Sequence, residues 1–137
     1  MSAETGAESV VREWFDRVSK GDGPGAMELF DPEVSYTLQG TTPVSGTYSG
    51  LQSVVDDFLV PWRKQIDGEI VLDVSEVITQ GDRVVVLCRG RAKTVFGHDY
   101  DNEYCFVFRV RDGRITHVNE FLDTALVETA AYDKKIA

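Results

Sequence analysis

The chain has 137 residues, 42% of them hydrophobic and 27% charged, which suits one globular domain able to bury roughly two thirds of its unfolded surface. A net charge of -9 excludes the clustered Lys and Arg that neutralising nucleic-acid phosphates requires. Cys88 and Cys105 are too few for a disulfide scaffold, and His98 and His117 have no companions at metal-ligand spacing, so buried free thiols and no metal or cofactor are expected.

The start, Met1 to Glu8, lacks the basic and apolar runs of a secretory leader, and no stretch is apolar enough to span a bilayer, so a cytoplasmic protein without membrane contact is expected. Val10, Val11, Trp14, Phe15 and Val18 recur at helical spacing over about residues 8–20, until Gly21-Asp22-Gly23-Pro24-Gly25 breaks the run. Pro24, Met27 and Phe30 give a short second helix stopped by Asp31-Pro32. Val34, Tyr36 and Leu38 alternate with polar residues as a strand does, and Gly40 to Gly50 reads as a small hairpin and loop. Leu51, Val54, Val55, Phe58, Leu59 and Trp62 return to helical spacing, with a kink or restart at Pro61 and an end near Gly68.

From Glu69 onward the pattern is strand: Ile70 to Ile78, Val84 to Lys93, Tyr100 to Val110 and Ile115 to Leu122, joined by turns at Gly81-Asp82, around Gly97 and at Arg111-Asp112-Gly113. Four such strands make an antiparallel meander, and helices first with a meander after them indicate an α+β domain. Val127 to Tyr132 reads as a short terminal segment compatible with helix, and the Lys134-Lys135 end as frayed. Helices cover only one face of the sheet, and both faces of the Tyr104 to Phe108 strand are apolar, so the outer face is expected to be buried in a homodimer.

The Gly-Asp break, the Leu29-Phe30-Asp31-Pro32 stop, Tyr100-Asp101-Asn102-Glu103-Tyr104, the Arg111 to Ile115 turn and Glu120-Phe121-Leu122-Asp123-Thr124 together resemble the SnoaL-like branch of the nuclear transport factor 2 and ketosteroid isomerase superfamily, over about residues 8–130. The resemblance implies one cone-shaped domain, a strongly curved antiparallel sheet packed on three N-terminal helices, in a scaffold that serves many chemistries. True ketosteroid isomerases carry a tyrosine, a base aspartate and a second acid where this chain has Trp14, Thr37 and Phe106, so that reaction is not expected. Against the limonene-epoxide hydrolases Tyr36 matches, but Leu38 replaces an asparagine and Leu87-Cys88-Arg89 replaces their Arg-x-Asp. The SnoaL-like cyclases place an acid on the last strand where this chain has Glu120, while a histidine of theirs falls on Phe106.

Strand parity gives a candidate pocket once the register is chosen, and of the two registers that the last turn allows the resemblance favours the first. With a three-residue loop and a left-handed Gly113, Val110 opposes Arg114, Val118 opposes Phe106 and Glu120 opposes Tyr104, whereas a two-residue Asp-Gly loop would shift the register by one and turn Glu120 to the other face. Pairing about Gly97 adds Leu87, Arg89 and Arg91, so the lining is Tyr36, Leu87, Arg89, Asn102, Tyr104, Phe106, Phe108, Val118, Glu120 and Leu122. Trp14 joins it from the first helix, although its apolar face also serves the core, as does that of Trp62.

Within this set Glu120 is the candidate general acid or base, and Arg89 its partner in either a catalytic or a structural ion pair. Tyr36, Tyr104 or Arg89 would steady developing negative charge. Asp123 is expected to cap the terminal segment, and His98 and Asp99 to be solvated turn residues. The leading expectation is a cofactor-independent enzyme of cyclase, isomerase or dehydratase type acting on a small hydrophobic molecule. A non-catalytic ligand-binding or interaction domain is the alternative, and an epoxide hydrolase-like enzyme the third.

Overall fold

The computed structural model describes residues 3–136; Met1, Ser2 and Ala137, at the ends expected to be disordered, lie outside the described residues. The first helix, α1 (Ala3–Ser19), buries Val11, Trp14 and Phe15 on one face and strings Glu8–Arg12, Glu13–Arg17 and Asp16–Lys20 ion pairs along the other. Gly21, at φ +76°, ends it, and the Asp22 carboxylate accepts the Gly25 N–H at 2.9 Å to start α2 (Gly23–Met27). This second helix stops before the expected Asp31-Pro32 boundary, because Phe30 already opens strand β1 (Phe30–Leu38). Pro32 falls where the pairing of β1 is interrupted between Phe30 and Ser35, the place in a strand where a missing N–H costs least.

After β2 (Gly46–Ser49) the chain turns helical from Leu51 to Arg63, and an α-helical stretch restarts at Val60–Pro61 as expected. A short α3 (Leu51–Ser53) opens into a π-helical turn over Val54–Leu59, and α4 (Val60–Arg63) follows. The wider turn bonds the Val60 N–H to the Val55 carbonyl one residue before Pro61, which has no N–H to give. The helical run ends at Arg63, short of Gly68, since β3 (Ile66–Gln80) begins earlier than expected.

With β4 (Arg83–Thr94), β5 (Glu103–Arg111) and β6 (Arg114–Leu122), the sheet has the order β2-β1-β6-β5-β4-β3. The expected meander is present, but the sheet is mixed, because β1 lies parallel to β6, with Tyr36 beside Val118 and Leu38 beside Glu120. Irregularities in β1, β3 and β6 bend the strands, and α1 packs into the concave side. There Trp14, Phe15, Phe106 and Phe108 form a cluster with ring centroids 4.9 to 6.0 Å apart. Fold class and architecture are those of an α+β cone.

The β5–β6 turn corrects one expectation and preserves its consequence. Arg111 opposes Arg114, so the loop is the two residues Asp112 and Gly113, both left-handed at φ +51° and +75°. A bulge at Thr116 then inserts one extra residue: Val110 opposes Ile115, but Arg109 opposes His117. The two changes cancel in parity, so Glu120 stays on the concave face and opposes Phe106 rather than Tyr104.

The C-terminal segment is helical, with α5 (Thr124–Leu126) continuing as a π-helical turn over Val127–Ala131. Asp123 caps it as expected, accepting the Leu126 N–H, and Gln65 Nε2 ties the Ala131 carbonyl at 2.6 Å. The end is not frayed at Lys134, which bonds Glu128 through its backbone N–H and its ammonium. Among the described residues no helix is long and apolar enough to cross a membrane.

Asn102, 1% exposed, joins the entry of β5 to the exit of β6. Its Oδ1 accepts the Glu103 and Asp123 N–H groups, and its Nδ2 donates to the Tyr100 hydroxyl and the Asp123 carbonyl. Asn102→Ala strands buried partners at both ends and should cost at least about 2 kcal/mol in urea unfolding; a loss within about 0.5 kcal/mol would show that Asn102 does not hold these strands.

Candidate functional site

The cone encloses a cavity of about 510 Å³, within the range of small-molecule sites. Its floor is Tyr36 and Leu38 from β1, Tyr104 and Phe106 from β5, and Glu120 and Leu122 from β6. Trp14, Phe58, Trp62, Tyr100 and Val127 contribute walls, and the exposed Gly21, Gly23, Val60, Arg63 and Glu69 mark the mouth. The π-helical turn places Phe58 and Leu59, and α4 after it Trp62, toward the cavity.

At the floor the Tyr36 hydroxyl donates to a Glu120 carboxyl oxygen, both groups being buried. Glu120 stands between Leu38 on one neighbouring strand and Phe106 on the other. Removal from water among these apolar neighbours pushes its pKa up to about 7, and the Tyr36 bond only partly opposes that rise. Tyr36 in turn is held well above the usual phenol value, first by burial and then by the adjacent Glu120 charge. Burial pushes the neighbouring Cys88 thiol up to about 12, which makes it an unreactive core group.

Of the residues expected in the pocket, Glu120, Tyr36, Trp14, Tyr104, Phe106 and Leu122 line the cavity. Arg89 does not: Cys88 opposes Tyr104, so Arg89 points to the outer face, where it pairs with Glu103. The expected Arg89–Glu120 pair is therefore absent. Leu87 is outward for the same reason, 36% exposed in a row with Cys105 and Phe121, and Arg91 is paired with Asp73. Asn102 sits behind the wall as a strand clamp, while Phe108 and Val118 lie in the core away from the cavity, Phe108 beneath Trp14 and Phe15.

His98 and Asp99 are exposed as expected, paired with Asp133 and Lys93. Trp62 and Tyr100, whose rings meet edge to face at 5.3 Å, are lining residues that sequence reasoning missed. The helical apolar face that carries Phe58 and Trp62 was the available signal for Trp62; Tyr100 had none beyond its aromatic character. Among the described residues no cluster of His, Cys, Asp and Glu could hold a metal ion.

Residues 11–118, well over half of the chain, match the family described as SnoaL-like domain. The chain belongs to that family. The match ends two residues before Glu120. An uncharacterized protein of Mycobacterium tuberculosis is 28% identical over 122 residues, covering 88% of this chain and 92% of that one. An NTF2-like protein of unknown function from Burkholderia pseudomallei superposes with a TM-score of 0.84 at 27% identity, over 96% of this chain and 98% of the other. A protein assigned as a SnoaL-like polyketide cyclase from Jannaschia sp. shares the fold, with a TM-score of 0.81 at 19% identity over 98% of this chain and 97% of its own.

The raised pKa of Glu120 has a sign in stability. Folding keeps the proton on Glu120 between its ordinary 4.5 and about 7, so this contribution is fully present below pH 4.5 and lost as pH rises through 7. Urea unfolding at pH 5 and pH 8, wild type beside Glu120→Gln, should show wild type losing roughly 3 kcal/mol more than the variant over that interval. Parallel profiles would mean that the carboxyl is not held neutral.

Proposed function

We propose that this SnoaL-like chain is a cofactor-independent enzyme that moves a proton on a small, hydrophobic, carbonyl-bearing molecule, with Glu120 as acid and base. The observation that carries the reading is a buried carboxyl poised near pH 7 at the floor of an open apolar cavity. A group with that affinity is charged often enough to take a proton and neutral often enough to return one. Tyr36 serves here as the hydrogen-bond partner that orients the carboxyl and limits the rise in its pKa.

Cyclisation and isomerisation both need such a group, and the polyketide-cyclase assignment of the Jannaschia neighbour supports ring-bearing phenolic or polyketide-like substrates. The open cavity supports chemistry over a purely interacting role. The epoxide hydrolase reading has less support, because its Arg-x-Asp is missing and Tyr36 and Glu120 bond each other directly. The exposed Leu87 and Phe121 support a second copy of the chain on the outer face, and light scattering at micromolar concentration should then report a dimer; a monomer would remove that assembly.

Thermal-shift screening with hydrophobic ketones, lactones, epoxides and polyketide-like phenols should find compounds that raise the melting temperature of the folded chain. With the compound that is turned over, Glu120→Gln should lower the rate by about 10²- to 10⁴-fold while the fold survives. Unchanged turnover in that variant would remove Glu120 from the chemistry.

A further inference from the structure

Among the described residues that line the cavity, Arg63 is the one Lys, Arg or His, while the acids are Glu120 at the floor and Glu69 at the rim. Arg63 stands exposed on the last turn of α4, with no hydrogen bond and no carboxylate at ion-pair distance among the described residues. The chain has 23 acidic residues to 14 Lys and Arg, so a cation left without a partner is not short of candidates. Glu69, the rim's own acid, does not answer it. A Cβ on Gly21 would stand 3.3 Å from Glu69 Oε1, which places that carboxylate over the turn between α1 and α2.

The interior offers an anion nothing. Tyr36 is spent on Glu120, Tyr100 takes a hydrogen bond from Asn102, and most of the remaining wall is apolar. Charge is penalised there, as burial pushes Glu120 itself up to about 7, and a second carboxylate at the floor would add repulsion whenever Glu120 is ionised. A molecule with an apolar body and an acidic end therefore enters body first, and its charge stays at the rim, within reach of water and Arg63. A guanidinium suits that end, because its planar fork of N–H donors matches a carboxylate bidentately. The field of the whole chain, at a net charge of -9, works against an anion, so any preference for one must arise locally.

We propose that Arg63 selects the substrate: it holds the carboxylate of an amphiphilic acid at the mouth of the cone while the apolar body fills the cavity. The assignment rests on the proposed reading of the cavity as a substrate site with Glu120 at its floor. It narrows the substrate class to carboxylic acids whose acid group is separated from the reacting end by an aromatic or alicyclic body. Arg63 takes no part in moving the proton. It decides which molecules are held and which way round they lie, so that the end brought to Glu120 is the end remote from the acid.

The test uses the full chain and three compounds on one frame: anthracene-2-carboxylate, its neutral carboxamide and the positively charged aminomethyl analogue. Anthracene absorbs where tryptophan emits, so binding is read as energy transfer from Trp14 and Trp62, both of which line the cavity. At low salt and neutral pH the carboxylate should bind roughly fivefold tighter than the carboxamide. High salt should shrink the difference, because the rim is open to solvent. Arg63→Gln should abolish the preference by weakening the carboxylate alone, and Arg63→Lys should restore part of it. Lys64→Gln, which removes the adjacent exposed cation outside the cavity lining, should leave it in place. Equal affinity of the wild type for carboxylate and carboxamide, or a preference that survives Arg63→Gln, overturns selection by Arg63 and leaves the cavity and the turnover test of Glu120 standing. An equal loss in Lys64→Gln overturns it by assigning the effect to the general field, and an aminomethyl compound bound tightest and weakened by Glu69→Gln overturns it in favour of Glu69. Binding of none of the three overturns the substrate cavity and this inference together.

Discussion

A carboxyl shut inside an apolar cone must lose its charge or find a partner, because an unpaired buried ion is far costlier than a neutral hydrogen-bonded group. The chain meets this constraint halfway. Tyr36 supplies a single neutral donor to Glu120, while Leu38 and Phe106 exclude water on both sides. A guanidinium in place of that phenol would have held the carboxylate charged and low in pKa. Arg89, the residue that seemed able to do so, is spent on Glu103 at the outer face. Keeping cations out of the cavity floor is thus part of what leaves Glu120 near neutrality.

The side on which Glu120 emerges depends on two irregularities that cancel. A two-residue turn at Asp112-Gly113 alone would have sent the carboxyl outward, and the extra residue at Thr116 brings it back. Turn chemistry left both faces open, and the resemblance chose the right face through the wrong loop, since a three-residue loop and a two-residue loop followed by a bulge have the same parity. Turn residues announce themselves by their left-handed preference, whereas a threonine in a bulge looks like any other strand residue. The exact partner, Phe106 in place of Tyr104, was therefore illegible while the face was not.

Elsewhere legibility followed the strength of the local pattern. The first helix, the four-strand meander and the aromatic concave face of β5 were all readable from periodicity, and the family resemblance supplied the cone. The parity of β4 was misread although the signal was present: Val84, Val86 and Cys88 alternate with Arg83, Arg89 and Arg91, and the apolar set is the buried one. Weight given to the two apolar residues Val85 and Leu87 obscured that alternation. The parallel pairing of β1 with β6 joins segments some eighty residues apart in sequence, and no local pattern encodes it. The π-helical turn is likewise a compromise between Pro61 and a continuous helix, which side-chain spacing alone does not reveal.

The three cavity tyrosines, Tyr36, Tyr100 and Tyr104, are held in three different ways. Tyr36 is committed to the carboxyl, Tyr100 is bound from behind by Asn102, and Tyr104 is positioned by packing against Phe106. That position depends on a missing side chain. A Cβ at Gly90 would stand 2.8 Å from Tyr104 Cε2 and 3.2 Å from Leu72, both closer than ordinary contact, so Tyr104 rests against bare backbone. The Gly90 N–H meanwhile bonds the Asn102 carbonyl at 2.8 Å, which places the glycine, the clamp and the tyrosine in one mechanical unit. A methyl group at position 90 would have to move either the ring or Leu72, and the ring stacks on Phe106, itself packed against Phe15. The orientation of the Tyr104 ring is thus set by strand packing.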